Sequence, residues 1–397
     1  MVRPAVADEI PPDGIRPSGL RRPDGVRPSV TTVLREWGRL GLIGFGGPPA
    51  HVALLRDLVV ERRRWLGARE FEDANAACQL LPGPASTQLA IYCALRAAGL
   101  AGAILGGLAF ITPGLLMVLA IAALALGDAP PDWILGVGAG AGAAVVAVVV
   151  AAGIALGRAS LAGRRDVRAP AYVVAGAVAT IVAGPYVVVV LLAAGLFELA
   201  WRRPARTAVY AWPVVIAAAA ALPGLAWTAF KVGALSYGGG FVIIPLMQED
   251  AVERHGWMTD SQFLDAVAFG QLTPGPVTHT VALVGWAAAG LGGALLAAAI
   301  AFAPSFLAIV LGGRRFERLR ENRSARAFLD GAGPAAVGAI LGAAVPLAGA
   351  LGEWWQAAVL AAAALVLLLG RSPLWALGGG AICGLLIAVA GGPLPRL

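Results

Sequence analysis

Two Pro-Gly-Pro motifs carry the clearest chemical potential in this sequence. Each is followed at once by hydroxyl side chains: Ser86 and Thr87 in the first case, Thr278 and Thr280 in the second. A helix that begins directly after a proline leaves its first N–H groups free and points the positive end of its dipole outward, so it can bind an anion. Alternatively, each motif is a plain kink whose hydroxyls bond to preceding carbonyls. The motif residues are Pro82, Gly83, Pro84, Pro274, Gly275 and Pro276.

Each motif is preceded along the chain by a glycine-rich break in an apolar stretch. These breaks are Phe45-Gly46-Gly47 and Tyr237-Gly238-Gly239. Glycine has no Cβ, so backbone N–H groups at the breaks can approach an anion closely. Gln79 and Gln271 stand three residues before the Pro-Gly-Pro motifs. Each side-chain amide can donate to an oxyanion or instead satisfy a carbonyl that the break frees.

The elements that must position these residues are membrane-spanning helices. Of the 397 residues, 59% are hydrophobic and 13% are charged, and the mean hydropathy is +0.78. Charge-free runs such as 100–126, 169–197 and 266–313 reach or exceed the roughly 20 apolar residues of one spanning helix. We therefore predict an all-α polytopic membrane protein. The first 29 residues hold six prolines and no apolar segment, which predicts a disordered tail rather than a signal peptide.

The sequence is internally repeated. Residues 41–90 align without a gap with residues 233–282 at a constant offset of 192, and 18 of the 50 positions are identical. Chance matches of alanine and glycine could not bring tryptophan, glutamine, aspartate and Pro-Gly-Pro into one register. We predict a tail at 1–29, a first repeat at 30–205, a linker transmembrane helix at 206–222 and a second repeat at 223–397.

The distribution of arginine predicts that the two repeats have opposite orientations in the membrane. Segment 314–326 carries six arginines, whereas its counterpart 127–132 carries none. Positively charged loops stay in the cytoplasm, and inverted repeats place a substrate site near the midplane at their interface. We count thirteen apolar segments, which gives a cytoplasmic N-terminus and an extracytoplasmic C-terminus. The broken segments of each repeat are predicted to be re-entrant or broken helices near the midplane, with kinked full spans as the alternative.

Charged residues near the breaks are candidates for binding charge or carrying protons. Lys231 is the only lysine and lies between charge-free runs, with Arg39 at the matching position. A cation inside a membrane usually faces a partner or a cavity, although Lys231 could instead snorkel to the headgroups. The repeated acids could carry protons, or could pair with Arg62 and Arg254 or cap a helix. These acids are Glu61, Asp73, Glu253 and Asp265.

The sequence lacks the residue patterns of a metal site or of an intramembrane enzyme. His51, His255 and the three cysteines have no metal-ligand spacing, so neither a metal nor another cofactor is predicted. No catalytic set of an intramembrane enzyme occurs in the sequence, so the protein is not predicted to be an enzyme. The predicted partners are a small oxyanion and the lipid bilayer. No nucleic-acid partner is predicted, and the sequence does not decide whether the protein forms a homodimer.

At the broken segments the sequence resembles the chromate ion transporter family, in its long form with two homologous halves. The motifs are Phe45-Gly46-Gly47-Pro48, Arg64-Trp65 and Gln79-Leu80-Leu81-Pro82-Gly83-Pro84, with second-half versions at 238–240 and 271–276. The resemblance covers nearly all of 30–395. It implies a multi-pass protein of the bacterial inner (plasma) membrane that exports chromate from the cytoplasm and confers chromate resistance, with sulfate as the related oxyanion. A transporter of sulfate or another tetrahedral oxyanion, and an anion channel, are the alternatives.

Overall fold

The computed structural model describes residues 28–79, 81, 83–127, 129–162, 167–183, 187–202, 223–236, 240–312 and 323–395. Every regular element in those ranges is helical. Four of the helices are long and apolar enough to cross a membrane. The prediction of an all-α polytopic membrane protein is therefore confirmed. The linker 206–222, most of segment 314–326 and nearly all of the N-terminal tail lie outside the described residues.

The two halves contain matching series of helices. The first comprises α1 (Val30–Ile43), α2 (Gly47–Arg56), α3 (Ala68–Cys78), α4 (Ala85–Ala125), α5 (Asp132–Leu161), α6 (Arg168–Ala183) and α7 (Val187–Arg202). The second comprises α8 (Gly224–Leu235), α9 (Ile243–Gln248), α10 (Asp260–Leu272), α11 (Thr280–Gly312), α12 (Arg323–Gly349), α13 (Trp354–Leu368) and α14 (Pro373–Val389). Short π-helical segments extend α2 and α9, at Asp57–Arg62 and Glu249–Arg254, and a 3-10 turn, Val277–His279, leads into α11.

The connection between α2 and α3 packs against the middle of α1. In this connection, Trp65 stacks on Trp37 of α1 with the ring centroids 6.2 Å apart. Arg63, next to Trp65 in the fold, forms an ion pair with Glu36, which also lies on α1. The chain therefore turns near Gly44 and again between α2 and α3, so this apolar segment is broken rather than one continuous helix.

Helices α4 and α11 each contain a sharp reversal. The residue pairs Ala98–Gly99 and Ala289–Gly290 depart from helical geometry, and the glycines have φ of +71° and +61°. Gly285 packs against Gly293, whereas residues eight apart in a straight helix would be about 12 Å apart. Each helix thus has a short arm, which runs back from the Pro-Gly-Pro motif, and a long arm. The short arms are 85–97 and 280–288, and the long arms are 100–125 and 291–312.

The remaining helices of each half pack against the other half. Helix α5 lies against α13 and α14, and α12 lies against α6 and α7. These contacts are close because the residues are small: a side chain at position 140 would overlap the Gly380 carbonyl, and one at 176 would overlap that of Ala335. Small residues let membrane helices approach closely. Large apolar side chains such as Trp375, which is 73% exposed, face outward as on a lipid-facing surface.

Two apolar cores fill the molecule. The first core contains buried residues of α1, α2, α3 and the first part of α4, together with Phe302 and Ile309 of α11. The second core contains buried residues of α5 and most of the second half, together with Val118 and Ala122 from the end of α4. The long arm of α4 therefore runs from the first core to the second, and the long arm of α11 runs from the second core to the first.

Candidate functional site

The breaks of the two halves meet where the long arms of α4 and α11 pack together. The backbone N–H of Gly275 donates to the Gly44 carbonyl oxygen at 2.9 Å, which joins the second Pro-Gly-Pro motif to the first-half break. Gly83, in the first motif, lies against α8 and α11. A side chain at Gly83 would come within 3.1 Å of the Gly233 carbonyl oxygen and 3.0 Å of Ser305 Oγ. Each motif thus contacts the other half.

Glycines at the breaks surround the start of the second half-helix. Gly47 has φ of +72° and Gly240 of +86°, a backbone region that favours glycine. A Cβ atom added at Gly47 would lie 4.0 Å from the Val277 side chain, and one added at Gly240 would lie 3.6 Å from it. Gly46, with φ of +98°, begins the turn into α2, while Phe45 lies on the surface with 39% of it exposed. The predicted site residues Pro82, Tyr237, Gly238 and Gly239 lie outside the described residues.

Both half-helices begin without a side-chain cap. Pro84 precedes α4 and Pro276 precedes the 3-10 turn before α11, and at neither start does a described side chain accept from the first N–H groups. Thr280 Oγ1 donates to the Val277 carbonyl at 2.8 Å, which is the bond expected of a plain kink. Ser86, Thr87 and Thr278, like Thr280, are at least 97% buried. Thr87 Oγ1 makes no hydrogen bond to any described group.

Buried polar groups without a protein partner gather around these starts. Among the described residues, the hydroxyls of Thr87, Ser236 and Ser305, the Gln271 side-chain nitrogen and both ring nitrogens of His279 are buried and make no hydrogen bond. Thr87 and His279 are equivalent positions of the repeat, 192 residues apart. Buried polar groups are ordinarily satisfied, so these described side chains are exceptions to the usual pattern. The sequence analysis missed Ser236, His279 and Ser305, although the repeat offset could have singled out His279.

His51 connects the first glycine-rich break with the start of α4, and through Gly44 with the second Pro-Gly-Pro motif. Its Nε2 lies 2.9 Å from the Gly44 carbonyl, which can only accept, so Nε2 carries the proton and Nδ1 accepts from Ser86 Oγ at 3.1 Å. Gly44 also accepts from Gly275, so one carbonyl joins the first break, the second motif and, through His51, the start of α4. Phe110 meets the imidazole edge-on at a centroid distance of 5.2 Å. The sequence analysis considered His51 for metal binding alone and missed this contact.

Lys231 is paired within its own half. Its Nζ lies 2.5 Å from Asp250 Oδ2, and the same carboxylate oxygen accepts from Thr228 Oγ1 at 2.5 Å. Lys231 is 5% exposed and Asp250 is 1% exposed. Arg39, at the matching position of the first half, is exposed. The positive charge of Lys231 therefore faces a carboxylate that the sequence analysis did not consider, because the two residues meet across the α8–α9 turn.

Arg62 and Arg254 each pair with an acid other than the neighbouring Glu61 or Glu253, whose pairing with these arginines is one of the alternatives for the repeated acids. Glu61 pairs with Arg56, and Arg62 pairs with Asp57 at 2.7 Å. Glu253 is exposed, and Arg254 instead lies 3.9 Å from Asp250. In the first half the π-helical segment brings residues five apart onto one face, so Arg62 meets Asp57 rather than the adjacent Glu61.

The other predicted residues lie further from the meeting point of the breaks. Gln79 is exposed at the end of α3, and Asp73 is half-buried within that helix. Asp265 is half-buried on α10, and a side chain at Gly138 of α5 would come within 2.7 Å of its carboxylate. Asp265 also lines a cavity of about 10 Å³, hardly large enough for one water molecule, together with Gln262 and Phe269. The carboxylate of Asp265 would repel an anion at this position, and its role in carrying a proton stays a prediction.

Comparison with known proteins agrees with the division of the chain into two halves. The family model described as chromate transporter matches residues 31–222 and again 223–385. The chromate transport protein of Cupriavidus metallidurans is 34% identical over 324 residues, which cover 78% of this chain and 80% of that protein. A probable chromate transport protein of Synechococcus elongatus is 32% identical over 334 residues, 80% of this chain and 84% of the relative. No solved structure matches. The chain belongs to the chromate transporter family.

Proposed function

We propose that this protein exports chromate from the cytoplasm and holds the anion at the meeting point of the breaks. The observation that carries the proposal is the set of buried groups without a protein partner at Thr87, Ser236, Gln271, His279 and Ser305. A tetrahedral oxyanion offers only acceptor oxygens, and hydroxyl, amide and imidazole N–H groups can donate to them. Leaving such a group unsatisfied costs about 1–3 kcal/mol, which a bound anion would offset.

The two half-helix starts support the same location. Both begin after a proline without a side-chain cap, so free N–H groups and the positive dipole ends are available to an anion. The glycines at the breaks leave room for backbone approach. Lys231 is not part of this proposed site, because its charge is opposed by Asp250.

The packing of the long arms supports inverted repeats. The arm of α4 runs from the first core to the second, and the arm of α11 runs in the reverse direction. Equivalent helices that run in opposite directions are what an inverted repeat requires. Inversion would place the meeting point of the breaks near the midplane, where access can alternate between the two sides. With the arginine pattern, it gives a cytoplasmic N-terminus and an extracytoplasmic C-terminus.

Counterflow in proteoliposomes tests the proposal. Vesicles loaded with unlabelled sulfate are diluted into radiolabelled sulfate, with and without chromate as competitor. A transporter should give a transient, saturable accumulation of label that chromate suppresses. Flux that does not saturate and follows the membrane potential would indicate an anion channel, and the absence of any oxyanion flux would overturn the proposal.

Hydroxyl deletions test the location. A charged acceptor makes each hydrogen bond worth about 1.5–3 kcal/mol, so Thr87→Ala together with Ser305→Ala should weaken sulfate binding at least about tenfold. The matched control is Thr112→Ala, which removes an exposed hydroxyl that donates to the Leu108 carbonyl at 2.7 Å. Unchanged affinity in the double variant would show that the anion binds elsewhere.

A further inference from the structure

The imidazole of His279 is the most unusual buried group in the described part of the chain. It is completely buried, and neither ring nitrogen makes a hydrogen bond to a described group. The chain has three histidines, and the other two differ in this respect. His51 is bonded through both nitrogens, and His255 is exposed. A neutral imidazole has one donor and one acceptor, and a nearby backbone carbonyl such as that of Ile111 can satisfy only the donor, so the acceptor nitrogen of His279 has no partner among the described residues.

The surroundings of His279 come from both halves and are mostly apolar. Phe302 meets the ring at a centroid distance of 5.4 Å. A side chain at Gly114 of α4 would lie 2.7 Å from its Cε1, and one at Gly275 would lie 3.0 Å from the same atom. The Ile111 backbone carbonyl faces the ring without completing a hydrogen bond. The titratable group that faces it is His51 on α2.

These surroundings are apolar and hold no carboxylate among the described groups that face the ring. Burial disfavours an imidazolium, and the neighbouring His51 supplies no compensating negative charge. A dianion that enters changes this balance, because a nearby opposite charge favours the protonated ring and gives it two N–H donors. The same proton lowers the net charge that the low-dielectric site must hold.

We propose that the oxyanion occupies the site together with one proton, which binds to the imidazole of His279. This inference rests on the proposed function of the site. The proton comes from the bulk solution and adds to the free ring nitrogen, and no covalent bond to the anion forms. His51 does not take this role, because its Nδ1 already accepts from Ser86 and a second proton there would break that link between the breaks. Thr87, the equivalent of His279 in the first half, donates without titrating.

Nuclear magnetic resonance of detergent-solubilised protein labelled with 15N-histidine tests the inference directly. Three histidines give three ring systems, and His51→Gln and His255→Gln assign them by loss of a signal. At neutral pH the His279 ring nitrogens should show the neutral form without anion and the cationic form in saturating sulfate. Sulfate is the probe because it does not itself take up a proton near neutral pH, whereas chromate does. A His279 ring that stays neutral in saturating sulfate would overturn the inference.

The pH dependence of sulfate affinity gives a second readout. One proton taken up on binding makes the dissociation constant rise about tenfold per pH unit above neutrality. His279→Gln retains an amide donor, so it should bind sulfate more weakly and with no such slope, while the control His255→Gln keeps the wild-type slope. An unchanged slope in His279→Gln would refute the role of this residue. Failure of the wild-type protein to bind sulfate or chromate would instead refute the proposed function.

Discussion

Removing the charge of Lys231 should destabilise the protein without weakening the anion site. Its Nζ lies 2.5 Å from Asp250, and both residues are at least 95% buried. Breaking such a pair by removing one partner leaves a buried, uncompensated charge and costs about 3–5 kcal/mol. We therefore expect Lys231→Met to lower the free energy of unfolding by that amount. Neutralising both partners, as in Lys231→Met with Asp250→Asn, should recover most of the loss, because the asparagine oxygen can still accept from Thr228.

Reversible unfolding in mixed detergent micelles measures these differences, and calorimetric titration with sulfate measures the affinity of each folded variant. Arg39→Met is the matched control, because Arg39 occupies the equivalent position and is exposed, so its effect on stability should stay within about 0.5 kcal/mol. The double variant should bind sulfate with wild-type affinity. A double variant that folds normally but binds sulfate at least about tenfold more weakly would show that Lys231 contacts the anion.

Three further predictions concern packing, energetics and orientation. Gly114→Ala should destabilise the fold by about 1–3 kcal/mol and weaken sulfate binding, because the added carbon would overlap the Pro274 carbonyl. Gly38→Ala, with its nearest contact at 3.9 Å, should leave unfolding and titration curves unchanged, and equal effects of the two would contradict this packing. In vesicles clamped at 100 mV without a pH gradient, chromate leaving with one proton should reach a gradient of about 50-fold, whereas about 2,000-fold would mean that no proton travels. Accessibility tags in 127–132 and 314–326 should label from opposite sides, and labelling from one side would end the inverted arrangement.

Local chemistry made the broken segments predictable from the sequence. Proline removes a helical donor and glycine permits positive φ, so the motifs at 82–84 and 274–276 and the preceding glycines interrupt helices wherever they occur. The hydrophobic runs likewise indicate spanning helices without reference to their neighbours. Burial of Ser86, Thr87, Thr278 and Thr280 then follows from their positions directly after the breaks inside apolar segments.

Three features of the structure depend on tertiary packing and could not be predicted from the sequence. The reversal at Ala289–Gly290 lies inside an uninterrupted apolar run of small residues, where hydropathy is the same for a straight and a folded helix. The pairing of Lys231 with Asp250 depends on the angle at which α8 and α9 meet. Ser305 lies 29 residues after the second Pro-Gly-Pro motif and joins the proposed site only because Gly83 of the other half packs against it.

Anomalous diffraction at the chromium absorption edge, from crystals grown with chromate, would locate the anion itself. A single strong peak is expected within hydrogen-bond distance of Thr87, Ser305 and His279, between the half-helix starts that follow Pro84 and Pro276. The same measurement on Thr87→Ala with Ser305→Ala should lose that peak. A peak beside Lys231, or at the cavity of Asp265 with none between the half-helix starts, would contradict the proposed binding site.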